Sequence, residues 1–415
     1  MTDSLSRDWA VKQDAHDSLR DYRSHFILPE GIIYLDGNSL GPLPKAVPDR
    51  INATIYQEWG TDLITSWNKA QWIDLPQIVG QKIAPLIGAE PDCVVACDST
   101  SVNLFKTISA ALAKSHRCKI ITEERNFPTD NYIAEGVIKH CGRGHEIITA
   151  KSADEIEALL DEDVALLMLT EVNYRNGARH DMADLTRKAH AVGALILWDL
   201  AHSAGAVPVD LKGAGVDFAV GCGYKFLNGG PGAPAFLYAA KAHQGAFQQP
   251  LSGWFAHQDP FAFEPNYQPD KSIKQYLCGT PPILSLIALD EALSLWEGID
   301  MQLVADKSAA LGNYFIALTA AKCAGHDLKL ITPQDAHLRG SQIAFTHPTA
   351  GYAMISALID KGVIGDFRAP DIMRFGITPL YSSFADIWQA VDIFADILKT
   401  RSWDNPAYHS RKTVT

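Results

Sequence analysis

The sequence predicts an α/β fold: a large, doubly wound, mainly parallel sheet domain followed by a smaller α+β C-terminal domain. Three observations carry that prediction. Between residues 95 and 240, apolar runs of strand length alternate with segments of helix length. The run Ala194-Leu-Ile-Leu-Trp-Asp199 is continuously apolar and closes on an aspartate, as a strand covered on both faces does at its carboxyl end. The polar or aromatic residues Thr100, Phe127, Thr170, Asp199 and Lys225 all fall at or just past the ends of such runs, which is where an open α/β sheet holds its ligand.

Taken in order, residues 5–27 read as an amphipathic helix. Gly31 to Pro44 reads as a short strand entering a turn-rich loop that carries Asn38 and Ser39 between glycines. That loop is either a connector or part of a pocket wall. Residues 46–88 are mostly helical and stop at Gly88. Trp59, Trp67 and Trp72 lie there, and Trp67 stands between Ser66 and Asn68, a setting that suits a pocket edge. Val94 to Cys97 is a strand, and Ser99-Thr100-Ser101 leads into a helix over 103–114. Those hydroxyls either cap the helix or present themselves to a phosphate at its N-terminus. Lys119–Thr122 and Val164–Thr170 are strands, and 154–160 and 184–192 are helices. Residues 246–281 are rich in proline and aromatics and have no clear period, so they mark a functional or interface segment. Helices follow at 283–296, 302–320, 350–361 and 384–400, with strands at 341–345 and 371–376. The predicted domains are an arm, 1–45, that joins the small domain, a large domain, 46–290, and a small domain, 291–415.

Composition narrows the function. The 415 residues carry a net charge of −12 and no basic stripe, which argues against nucleic acid as a partner. No apolar run reaches membrane-spanning length, and the polar, acidic start lacks the layout of a signal peptide. The seven cysteines are scattered without a C-x-x-C pair, so neither a disulfide framework nor a zinc site is expected, and no metal is assigned. A cytoplasmic protein is the resulting expectation.

The chemistry centres on Lys225. It stands in Gly221-Cys-Gly-Tyr-Lys-Phe-Leu-Asn-Gly-Gly-Pro-Gly232, among apolar residues and glycines. A lysine there either caps the strand and points to solvent or is an amine nucleophile, whose common use is a Schiff base with pyridoxal 5'-phosphate. Asp199 is either a helix cap or the carboxylate that keeps such a cofactor's ring nitrogen protonated. Phe127 can stack on a flat ring. Arg374, inside a short apolar segment, is either half of a buried ion pair or a fork for a substrate carboxylate, and the second is preferred.

With these residues in view, the whole chain resembles kynureninase, a fold-type-I pyridoxal phosphate enzyme of the class V aminotransferase group. The stretches that carry the resemblance are Tyr34-Leu-Asp-Gly-Asn-Ser-Leu-Gly41, Phe127-Pro128-Thr129-Asp130, Trp198-Asp-Leu-Ala-His-Ser-Ala-Gly205, Gly223-Tyr-Lys-Phe-Leu-Asn-Gly-Gly-Pro-Gly232, Gly253-Trp-Phe-Ala-His257 and Met373-Arg-Phe-Gly376. The resemblance implies that Lys225 carries the cofactor and moves protons, and that Asp199 pairs with the ring nitrogen with His202 in support. It implies that Phe127 stacks on the ring, that Pro128 and Thr129 line the site with Thr170, and that Asp130 bonds near the ring hydroxyl. Thr100, Ser101 and Tyr224 would hold the phosphate, with Trp254 and Thr280 added from the second subunit of a homodimer. Arg374 would bind the substrate α-carboxylate, with Asn38, Ser39, Trp67 and His257 as further pocket residues. The implied reaction is hydrolysis of L-kynurenine to anthranilate and L-alanine in tryptophan breakdown, with Tyr224 as the acid that protonates the departing carbon. Ala256 departs from the family's usual glycine. Trp67 and Thr280 resemble the bacterial form of the pocket, which tilts the expectation to kynurenine over 3-hydroxykynurenine. The alternative is a cysteine desulfurase or another class V enzyme. A desulfurase needs a reactive cysteine late in the chain, and Cys323 is the one candidate after 280.

Overall fold

The computed structural model describes residues 3–411, and the chain divides into two compact units. One consists of Ala46–Asn173 and His180–Glu297; the other consists of Met1–Lys45, Tyr174–Arg179 and Gly298–Thr415.

The first unit is built on a seven-stranded sheet. Its strands are β1 (Val94–Ala96), β2 (Lys119–Glu123), β3 (Glu146–Ala150), β4 (Val164–Thr170), β5 (Leu195–Asp199), β6 (Phe218–Cys222) and β7 (Ala235–Ala239). Across the sheet the order is β1-β7-β6-β5-β4-β2-β3. Every neighbouring pair is parallel except those of β7, which runs antiparallel to β6 and to β1. All seven residues of β4 and all five of β6 and β7 are buried, so these strands read as continuous apolar runs rather than alternating ones. Each fully buried aliphatic side chain there, such as Leu166, Leu197 or Val220, contributes about 1.5–3 kcal/mol through burial. The helices α1 (Thr100–Lys114), α2 (Pro128–Cys141) and α3 (Met182–Ala191) connect the strands. Register then sets the site: Thr170 at the end of β4 lies directly beside Asp199 at the end of β5, and Asp199 lies beside Val220 of β6.

Residues 46–88 are helical in pieces rather than throughout. Val47–Ala53 passes into a π-helical turn, Leu75–Ile83 is the longest piece, and the stretch ends at Gly88 in the left-handed region with φ +59°. The predicted helix over 5–27 spans only Arg7–His16. Asp17 stops it: its carboxylate takes the Leu19 N–H at 2.9 Å and pairs with the buried Lys307 at 2.6 Å.

The second unit holds a four-stranded antiparallel sheet of β8 (Lys329–Leu330), β9 (Gln342–Thr346), β10 (Asp366–Arg368) and β11 (Ile372–Gly376), in the order β8-β9-β11-β10. The long helices α4 (Met301–Lys322) and α5 (Phe384–Thr400) bury Leu311, Phe315, Val391 and Phe394 in the same core as Ile343 and Phe375. Ser383 and Asp386 cap α5 reciprocally. No helix among the described residues is long and apolar enough to cross a membrane.

Candidate active site

The predicted residues fall into two main groups, each inside one unit. In the first unit a cavity of about 150 Å³ opens at the carboxyl ends of β4–β6. Thr100, Ser101, Phe127, Thr129, Asp130, Thr170, Asp199, His202, Tyr224 and Lys225 line it, together with Ser99, which the sequence read as a cap or a phosphate contact, and Cys222, for which the sequence offered no role.

Each side chain is set by its element. Ser99 caps α1, its hydroxyl accepting the Val102 N–H at 3.3 Å. That leaves Thr100 and Ser101 on the first turn, at the positive end of a 15-residue helix dipole where an anion is favoured. Lys225 lies three residues beyond β6, half-buried, with Nζ 2.9 Å from His202 Nε2. The Phe127 ring, partly exposed, has its centroid 6.0 Å from that Nζ, and the Tyr224 ring 5.9 Å. The glycines around Lys225 serve the chain itself. A Cβ at Gly223 would meet the Pro234 carbonyl oxygen at 2.5 Å, and one at Gly229 would meet Leu289 at 2.7 Å. Gly230 and Gly232 instead take positive φ, +83° and +76°.

The floor of the cavity is acidic. Asp199 is 3% exposed and Asp130 1%. Asp199 Oδ1 accepts the Ala201 N–H at 2.8 Å. Burial first, and then the charge of Asp199, pushes the Asp130 carboxyl well above the usual carboxylate range. Burial also raises Asp199, opposed by Lys225, by the Ala201 N–H and by the bond Asp130 donates to it. The pair therefore holds a shared proton, resident on Asp130, with the negative charge on Asp199. The Thr170 hydroxyl donates to Asn126 Oδ1 and lies 3.3 Å from Asp130 Oδ2. Asn126 also accepts the Phe127 N–H at 2.9 Å and donates to Thr122 at 3.2 Å, which fixes the Phe127 loop. Asn126 thus has a positioning role that its place in a polar loop did not reveal. Asp130 Oδ1 is buried with no hydrogen-bond partner among the described residues.

Tyr224 runs against one expectation. As an acid exchanging protons at neutral pH it would need a lowered pKa, yet burial, with the charges of Cys222 and Asp199, raises it well above the ordinary phenol value. The group is a firmly protonated donor.

Trp254, His257 and Trp67 lie elsewhere in this unit. Trp254 and His257 line a second cavity of about 290 Å³ with Phe263 and Tyr267. A Cβ at Gly253 would lie 2.1 Å from the Cys278 carbonyl oxygen, so this glycine lets the Trp254 loop press on the strip leading to Thr280. Thr280 is exposed. Trp67 packs against Trp72 and Phe255, with ring centroids 6.4 and 6.1 Å apart, at the edge of the hydrophobic core.

The second group lies in the other unit. Arg374 on β11 stands directly across from Asp366 on β10. Its Nε donates to Asp366 Oδ1 at 2.7 Å, and its Nη2 donates to Oδ2. Asn38 donates to Gln342 Oε1 at 2.8 Å, and Ser39 donates to Asp366 Oδ2 at 3.1 Å. The buried ion pair that the sequence left as one alternative for Arg374 is therefore present. Asp366 went unnoticed in the sequence, although Asp366-Phe-Arg368 and Ile372 to Gly376 around Ala369-Pro370 have the form of a hairpin.

Chemically, the first cavity offers a seat for an anion at Thr100–Ser101, an amine at Lys225, an aromatic wall at Phe127 and a buried carboxylate at Asp199 suited to a cationic ring nitrogen. Cysteine desulfurase from Thermococcus onnurineus NA1 shares this fold with a TM-score of 0.78 at 18% identity, over 92% of this chain and 98% of that one. A C-DES variant with glycine covalently linked to its PLP cofactor shares it at the same TM-score and 16% identity, over 90% and 99%. The fold is thus that of the fold-type-I pyridoxal phosphate enzymes. The chain belongs to the kynureninase family. It is 49% identical over 415 residues to kynureninase of Burkholderia mallei, covering 99% of this chain and 100% of that protein. Residues 304–394 match the kynureninase C-terminal domain family.

Proposed function

We propose that the chain is a pyridoxal phosphate-dependent hydrolase that cleaves the Cβ–Cγ bond of L-kynurenine, giving anthranilate and L-alanine, with 3-hydroxykynurenine as the poorer substrate. The observation that carries this reading is full-length kynureninase identity in a chain whose Lys225, Asp199, Phe127 and Thr100–Ser101 converge on one cavity. The residues fit the cofactor. A protonated ring nitrogen would answer the Asp199 charge, the ring hydroxyl would find the unpartnered Asp130 Oδ1, and the phosphate would take the α1 N-terminus. When bound, the cofactor's ring takes up the electron pair released at Cα.

The protein's own groups do the rest. Lys225 Nζ removes the α-proton, with His202 Nε2 in reach to receive or return it. Water adds to the γ-carbonyl carbon, the Cβ–Cγ bond breaks, and the Tyr224 hydroxyl passes its proton to Cβ while taking one from the added water, so that the phenol, which burial holds protonated, is not left charged. Asp199 stays anionic throughout, because Ala201 and Asp130 both donate to it.

The desulfurase chemistry of the fold's relatives has no support in this chain. Cys323 is 3% exposed and burial pushes its thiol up to about 12, so it forms no thiolate nucleophile at neutral pH. The seven cysteines are all unpaired, which supports a reducing, cytoplasmic setting.

A homodimer completes the reading, with Trp254 and Thr280 serving the partner's phosphate. In support, neither lines the Lys225 cavity of its own chain, and an apolar hollow beside Thr280, walled by Trp59, Trp72, Ile283 and Leu284, suits a second copy. Purified protein loaded with cofactor is expected to convert L-kynurenine to anthranilate and alanine in equal amounts, and to run in light scattering at about twice the 45.3 kDa chain mass. Anthranilate without alanine, or neither, would refute the reaction; a monomer mass with full activity would refute the shared site.

A further inference from the structure

The helix end offered to the phosphate already has an acid beside it. Asp98 immediately precedes Ser99, Thr100 and Ser101, and its backbone turns the chain from β1 into α1 at φ +49°, a conformation that aspartate tolerates better than most side chains. One residue of β7 pins the turn on both sides. The Cys97 N–H donates to the Ala235 carbonyl at 2.8 Å, and the Ala235 N–H donates to the Asp98 carbonyl at 2.9 Å. A carboxylate at this point competes with a phosphate for the positive end of α1 and repels it over a short distance.

Lys106, from within α1, answers that charge. It has no exposed surface. Its Nζ donates to Asp98 Oδ2 and to the Tyr276 carbonyl, and lies 4.0 Å from Cys97 Sγ. Burial, the largest influence, works against its charge, but Cys97 and Asp98 beside it more than compensate, so the group lies above the ordinary lysine value and remains an ammonium. The Cys97 thiol is itself pushed up to about 12, by burial first, and is uncharged at neutral pH. Asp98 is then the anion that balances Lys106. Asn103, which also has no exposed surface, braces the same turn: its Nδ2 donates to the Cys97 carbonyl at 2.9 Å, and its N–H donates to the Ser99 carbonyl at 2.9 Å. A lysine without surface touches no ligand. It acts only through the groups that hold it, Asp98 on the turn and Tyr276 on the strip that runs to Thr280.

Resting on the cofactor reading above, we propose that Lys106 is a positioning residue for the cofactor's phosphate: it neutralises Asp98 and holds it to the turn, which leaves the α1 N-terminus at Thr100 and Ser101 free for an external anion. The Tyr276 carbonyl fixes the ammonium from its other side.

The test compares pyridoxal 5'-phosphate with pyridoxal, which lacks the phosphate, as ligands of the cofactor-free protein. Wild type, Lys106→Met, Asp98→Asn and the double variant are titrated by absorption and by calorimetry. Lys106→Met is expected to lower affinity for pyridoxal 5'-phosphate by about 10- to 100-fold and to leave pyridoxal within about threefold, the scale of one uncompensated charge close to the phosphate. Adding Asp98→Asn to Lys106→Met is expected to return the preference for the phosphate to within about threefold of wild type, a recovery that a merely structural lysine would not give. Asp98→Asn alone is expected to raise the preference, because the Lys106 charge then stands uncompensated. Equal loss for both ligands in Lys106→Met, or no recovery in the double variant, overturns the proposal. If Lys106→Met does not fold, Asp98→Asn decides, and a preference at or below the wild-type value overturns it. A wild type with no preference for the phosphate removes the cofactor's phosphate from this turn, and the proposal with it. A wild-type preference with recovery in the double variant, in a protein that leaves L-kynurenine intact, would sink the kynurenine reading and leave the Lys106 assignment standing.

Discussion

Replacing Lys225 by alanine is expected to lower kcat for L-kynurenine by about 10⁴-fold or more, because one side chain supplies both the amine that anchors the cofactor and the base for the α-proton. The structure places Lys225 Nζ 2.9 Å from His202 Nε2, in a half-buried position at the mouth of the cavity. The loss should therefore be chemical and not structural. Far-UV circular dichroism and melting temperature should match wild type, with a stability change within about 1 kcal/mol. Borohydride treatment of loaded wild type should add the mass of the cofactor to the peptide that contains Lys225, and the variant should show no such addition. A Lys225→Ala protein that keeps more than about one hundredth of wild-type turnover would contradict this assignment.

The second large effect separates two aspartates that look alike in sequence. Asp199→Asn is expected to cost about 10²–10⁴-fold in kcat, and Asp130→Asn at most about tenfold. Both carboxyls are buried, but the shared proton sits on Asp130, which donates to Asp199. Asparagine at 130 keeps a neutral donor where a neutral donor already stood. Asparagine at 199 removes the anion that the ring nitrogen needs.

The same pair makes a pH prediction for the cofactor-free protein. A carboxyl whose folded pKa is raised above its unfolded value, about 3.9, favours folding at low pH; that contribution is lost as pH rises from the unfolded value through the folded one. Asp130 and Asp199 are both raised in this way, burial being the largest cause. Hence Asp130→Asn should raise the melting temperature of the cofactor-free protein at pH 7 and leave it unchanged near pH 3. Equal melting temperatures at pH 7 would show that the two carboxyls do not compete for charge.

Lys225, Asp199 and Thr170 were legible in the sequence because of one local fact. Buried parallel strands are apolar throughout, so a polar residue at a strand's end stands out, and the sheet's register then brings neighbouring ends together. The cap at Ser99 and the helix that places Thr100 and Ser101 are equally local. Other decisions depended on contacts between residues far apart in the chain. Asp17 ended the first helix by meeting Lys307. Trp67, in a polar tripeptide, was drawn against Trp72 and Phe255. Which of two carboxyls keeps a proton depends on how completely each is desolvated and on what lies beside it, as with Asp130 and Asp199. Whether an arginine is ion-paired depends on what its cross-strand neighbour is, as with Arg374 and Asp366. By itself the sequence determined the layered α/β architecture and the placing of the lysine and the aspartate at strand ends, since both follow from patterns a few residues long. Tertiary structure alone decided the charge state and availability of the polar groups, because burial and electrostatics are set by neighbours that the chain's order does not reveal.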